Sequence, residues 1–121
     1  MNFNECREIL LALKELPYDW DGQGAIPLTD RCYTRTSALL ASVETLPRPW
    51  LELLPEGHIR LEWDWGPGVV TVEITDTVYK YVDTLNKYQP TEDQLFVSLD
   101  DIVSQIMFVG LLIYPHVESL S

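Results

Sequence analysis

A chain of 121 residues, 46% hydrophobic and 22% charged, is one globular domain's worth of sequence, large enough to bury a core without metals or disulfides and too apolar for disorder. Nineteen acidic residues against 8 Lys and Arg leave a net charge of −11. That balance argues against generic phosphate binding, which needs clustered cations, and points to a partner with a basic surface. No cofactor, no direct nucleic-acid contact and no membrane contact are expected.

Residues 3–16 repeat apolar side chains at helical spacing. Phe3, Cys6, Ile9, Leu10, Leu13 and Leu16 share one side, with Glu5, Glu8, Lys14 and Glu15 opposite, which predicts an amphipathic helix stopped by Pro17. No basic run precedes an apolar core there, so no signal peptide is expected. Residues 17–28 contain Pro17, Gly22, Gly24 and Pro27 and read as a loop. Thr29 is placed to cap a second helix reaching about residue 45, with Asp30 in its first turn and Pro47 and Pro49 beyond its end. Cys6 and Cys32 fall on apolar helix positions without metal-ligand spacing, and are expected as core thiols rather than as a bridge.

From Trp50 the period changes to two. Residues 50–54 read as a short strand. In 58–65, Ile59, Leu61, Trp63 and Trp65 alternate with His58, Arg60, Glu62 and Asp64. Gly66-Pro67-Gly68 turns the chain into 69–75, where Val70, Val72 and Ile74 oppose Thr71 and Glu73; Asp76-Thr77 turns it into 78–83. These short loops predict an antiparallel meander of about four strands with one apolar face. Residues 84–94 read as a polar connector. Ser98 is placed to cap a last helix, with Asp101 set for a return bond, Ile102, Ile106 and Val109 as its buried side and Gly110 as its stop. The apolar stretch 102–114 is too short to span a membrane, so a cytoplasmic location is expected (the host cytoplasm, for a phage-derived chain). The expected class is α+β: a single domain over 1–121, with two N-terminal helices, a four-stranded meander and a C-terminal helix, helices on one face.

The 17–28 loop is the most distinctive segment. Counted from Asp19, oxygen-bearing side chains fall at Asp19, Asp21, Gln23 and Asp30, with Gly24 at the tight turn. That is a partial match to a calcium loop. It departs from the pattern at its last position, where Asp30 stands for the longer Glu, and at Pro27. The competing reading is that Trp20 anchors the loop while its Asp side chains cap local backbone N–H groups. The run Trp20-Asp21-Gly22-Gln23-Gly24-Ala25-Ile26-Pro27, then a Pro-rich break, then Gly57-His58-Ile59-Arg60-Leu61-Glu62-Trp63 resembles a family of small uncharacterised bacterial and phage proteins. The resemblance covers roughly the first two thirds of the chain. It implies a shared helix-helix-sheet fold and brings no activity and no catalytic residue.

His58, Arg60, Glu62, Glu73 and Lys80 are expected to line one polar sheet face, where Glu62 and Glu73 on adjacent strands would form a carboxylate pair. Alternating charge on a half-exposed strand is also the ordinary solvated face. His58 and His116 stand apart from any nucleophile signature, and no phosphate-cradling loop is present in the sequence. A non-enzymatic protein-binding module is therefore expected, of the phage-inhibitor type (anti-CRISPR or anti-restriction), whose acidic surface blocks a nucleic-acid-binding protein. Tyr18, Asp19, Trp20, Asp21, Glu62, Asp64 and Glu73 are its expected contact residues. The alternative is a homodimeric structural or immunity-type protein that pairs through 108–114, where Phe108, Leu111, Leu112, Ile113 and Tyr114 crowd together.

Overall fold

A computed structural model describes residues 3–66, 68–84 and 93–113. Their order is α1 (Phe3–Lys14), α2 (Asp30–Ser42), β1 (Trp50–Leu53), β2 (Ile59–Asp64), β3 (Val69–Ile74), β4 (Tyr79–Asp83), β5 (Gln94–Phe96) and α3 (Leu99–Ile113). The class is α+β, as expected. The strands form one antiparallel sheet in chain order, β1-β2-β3-β4-β5. α2 meets β2 and β3, α1 meets β1, α3 meets β5, and α2 touches both other helices.

Period-two alternation sets the layers. Leu53, Ile59, Leu61, Trp63, Val70, Val72, Ile74, Tyr79 and Tyr81 point into the core with Phe3, Cys6 and Leu10 of α1, Cys32, Leu39 and Leu40 of α2, and Ile102, Ile106 and Val109 of α3. Trp63 and Trp65 both face inward, at 1% and 4% exposure, so no bulge flips the register at the end of β2. The indole N–H of Trp63 donates to the Pro47 carbonyl at 2.8 Å. This bond fixes the connector between α2 and β1 on the core side.

Beyond one-residue shifts at the ends of β1 to β4, four features differ from the sequence reading. The sheet has a fifth strand: Gln94–Phe96 pairs with β4 through Tyr79↔Phe96 and Tyr81↔Gln94, whereas 84–94 was expected to be connector throughout. The first helix stops at Lys14, because Glu15 and Leu16 bond back to Ala12 and Leu13 in a tightened turn. The second stops at Ser42, where Val43 N–H donates to Leu40 in the same way. Gly110 does not end α3, which runs on to Ile113; a Cβ there would stand 2.6 Å from Leu46 Cδ2. Gly110 thus lets α3 approach Leu46 instead of terminating the helix. Residues 85–92 of the expected connector, Pro67, Tyr114 and His116 lie outside the described residues.

The expected caps are in place. Thr29 Oγ1 accepts from Cys32 N at 3.1 Å and donates to Asp76 Oδ1, tying the start of α2 to the β3–β4 turn. Ser98 Oγ accepts from Asp101 N at 3.3 Å.

Both cysteines are free and buried, and Cys32 donates to the Ile74 carbonyl at 3.0 Å. Burial raises both thiols above their ordinary value of 9.0 and raises the Tyr79 phenol above 10.0. Tyr81 is raised further, by burial and then by the hydrogen bond it donates to Asp83 at 2.8 Å. The folded chain therefore holds these protons more tightly than the unfolded chain. Their stabilisation is intact below the unfolded values and is lost as pH rises through the folded ones. The melting temperature is expected to fall above about pH 9 for this reason. Thermal melts from neutral to alkaline pH check it, and a midpoint unchanged across that range would contradict the burial of these four groups.

Candidate protein-binding surface

The 17–28 loop is built from its own backbone. Asp19 adopts a left-handed φ of 62°, which a short carboxylate side chain tolerates. Its N–H donates to the Ala25 carbonyl at 2.7 Å, and its Oδ1 accepts from Gly24 N at 2.6 Å. Asp21 Oδ1 accepts from Gln23 N at 2.8 Å and from Ala25 N at 3.1 Å. These carboxylates serve as local caps. The structure does not gather Asp19, Asp21 and Asp30 into a metal-holding group, and among the described residues no cluster of three or more His, Cys, Asp or Glu is so placed.

Trp20 is half-buried against the core, and its indole N–H donates to the Ile26 carbonyl at 3.0 Å. It pins the loop from within. Tyr18, 67% exposed, is the aromatic this loop presents to solvent. The loop then docks on the β1–β2 turn: Ile26 N–H donates to Pro55 O at 2.9 Å and Thr29 N–H to Gly57 O at 3.2 Å. The two stretches singled out together in the sequence, 20–27 and 57–63, meet at this seam.

The sheet face away from the helices is ordered by register. One cross-strand row reads Trp50, Glu62, Thr71, Val82; the next reads Glu52, Arg60, Glu73, Lys80, Leu95. Glu62 and Glu73 are therefore diagonal neighbours on adjacent strands rather than directly opposed. Glu73 sits between Arg60 and Lys80 and pairs with Lys80 at 3.3 Å, while Arg60 pairs with Glu52 at 3.1 Å. Such exposed pairs add little stability, but they neutralise this row. Glu62 and Asp64 are exposed on the same face; Asp64 Oδ1 accepts from Gly66 N at 3.1 Å, and neither carboxylate is ion-paired with a cation among the described residues. Of the sheet carboxylates expected to meet a partner, Glu62 and Asp64 are outside the ion pairs of the described residues, and Glu73 is matched by Lys80.

The same matching recurs across the molecule. Arg7 pairs with Glu44 and Arg48 with Glu5. Lys14 and Arg35 lie over the rings of Tyr33 and Tyr79, each 4.3 Å from the centroid. A cleft of ≈ 390 Å³ beside the start of α1 has Arg7 and Arg48 in its wall, both already held by these carboxylates. The surplus negative charge thus stands on side chains outside the ion pairs, among them Glu62, Asp64, Asp93, Asp100 and Asp101.

One exposed anchor was missed in the sequence. Trp50 is 63% exposed on the open face of β1, directly across from Glu62. The signal was there: once Leu51 and Leu53 turn inward, alternation puts Trp50 and Glu52 outward. At the other flank, Phe108, Leu111 and Leu112 of the expected self-association segment are exposed, with Val109 and Gly110 buried; Tyr114 lies outside the described residues.

Fold and surface together define an α+β protein with a one-sided antiparallel sheet and a partly neutralised open face. No family model matches the chain, and no curated protein or solved structure matches it. No described helix is long and apolar enough to cross a membrane.

Proposed function

We propose that the chain is a non-enzymatic protein-binding module that engages a basic surface on its partner. In its sharper form it is an inhibitor of the phage type, anti-CRISPR or anti-restriction in class, occupying the groove where a nucleic-acid-handling protein holds its substrate. The observation that carries this reading is the division of charge: the described cations are largely held against the chain's own carboxylates and rings, and most of the remaining described carboxylates face solvent, with Asp83 buried. Uncompensated surface charge of one sign steers a basic partner and repels acidic ones. Exposed Tyr18 and Trp50 supply the aromatic anchors that concentrate interface energy.

The test is capture from a bacterial lysate at low and moderate salt, followed by displacement of nucleic acid from whatever is captured. A basic nucleic-acid-binding protein should be retained, lost as salt rises, and stripped of its nucleic acid by added chain. Recovery of this chain alone, salt-resistant and dimeric, overturns the reading. That result would favour the second one, self-association through exposed Phe108, Leu111 and Leu112 of α3, in which case Leu112→Asp should restore a monomer.

A further inference from the structure

Resting on the basic-partner reading, we infer that Trp50 and Glu62 form the seat for an arginine side chain of that partner. Three observations converge on this corner. The register sets Trp50 and Glu62 directly opposite each other on adjacent strands, both exposed, at a spacing one long side chain can bridge. The neighbouring row is internally matched by Arg60–Glu52 and Lys80–Glu73, so the open charge of this face is concentrated at Glu62 and Asp64. The ring of Trp50 already receives one guanidinium, that of Arg48, 5.4 Å from its centroid.

Arg48 does not compete for the carboxylate. Its side chain is only 10% exposed and is paired with Glu5 at 3.5 Å, so its guanidinium is already held by another carboxylate. A second guanidinium arriving from solvent can stack on the indole while its fork meets the Glu62 oxygens. An ammonium can pair with Glu62 but cannot stack as a plane. Arginine is therefore the occupant this corner favours over lysine.

Titration of the isotope-labelled protein with an oligoarginine and an oligolysine of equal length, at low salt, tests the seat by NMR. The indole N–H of Trp50 and the amides of 62 and 64 should shift together, and oligoarginine should bind more tightly. Trp50→Ala and Glu62→Gln should each weaken it by about threefold to fivefold. Glu15→Gln, which removes an equal charge from α1, should leave it unchanged. Equal affinity for the two oligomers, equal loss from Glu15→Gln, or shifts that bypass Trp50 would overturn the seat while leaving a basic partner standing. Failure of either oligomer to bind at low salt would instead sink the basic-partner reading itself.

Discussion

Gly57→Ala is expected to remove about 3 kcal/mol of folding stability, roughly a 10 °C drop in melting temperature. Two costs combine. Gly57 has φ +81°, a left-handed backbone that alanine adopts reluctantly, and a Cβ there would stand 2.5 Å from the Pro27 carbonyl oxygen and 3.1 Å from Ile26 Cγ1. The first obstacle is backbone, so relief requires the 17–28 loop to lift from the β1–β2 turn. That motion strains the bonds from Ile26 N–H to Pro55 and from Thr29 N–H to Gly57, each worth about 1 kcal/mol. Gly24→Ala is the matched control: its φ is +85°, but nothing lies within 4 Å of the added methyl. It should cost only the conformational part, about 1 kcal/mol. Thermal melts of the two variants compare them directly, and equal losses would mean that the seam contributes nothing.

Trp63→Ala should cost about 3–5 kcal/mol, the range for deleting a large buried aromatic. The side chain is 1% exposed, packs 6.1 Å centroid to centroid from Trp65, and donates its N–H to Pro47 O at 2.8 Å. Trp63→Phe separates the parts, keeping most of the apolar volume while leaving the Pro47 carbonyl without its donor, and should cost about 1–3 kcal/mol. Denaturant unfolding of both variants gives the two numbers. A Phe variant as unstable as the Ala variant would show that the hydrogen bond, not the packing, dominates. The same bond positions the connector that delivers Trp50, so Trp63→Phe should also disturb the Trp50 indole resonance.

Most of the fold was legible because one-sided burial imposes a rule on every element. Alternation pointed Trp63 and Trp65 inward but left open a one-residue bulge at Trp65 that would reverse them, and Thr29 and Ser98 were readable as caps from side-chain chemistry and position. The fifth strand was not legible. Gln94–Phe96 is too short to show a period, and β4 supplies the partner that makes it a strand. Gly110 was misread for a related reason: in the sequence, a glycine late in a helix looks the same whether it ends the helix or admits Leu46. The surface was harder still. Which carboxylates are neutralised depends on register, and Glu73 meets Lys80 while Glu62 meets Trp50 and Thr71 only after the turns fix the strand offsets. The docking of 17–28 on the β1–β2 turn runs through backbone groups, which side-chain patterns do not report.

A sheet covered on one side divides its own sequence into two texts. The inward letters of β1 to β4 hold the core, while Trp50, Glu52, Arg60, Glu62, Thr71, Glu73, Lys80 and Val82 occupy the alternate positions outside it. At the exposed ones among them, Trp50, Glu52, Glu62 and Lys80, substitutions usually change stability by less than about 0.5 kcal/mol. Those letters of the outer text can therefore be rewritten one by one without unfolding what lies beneath. A chain of this architecture can alter the pattern of charge it presents while inheriting the same scaffold.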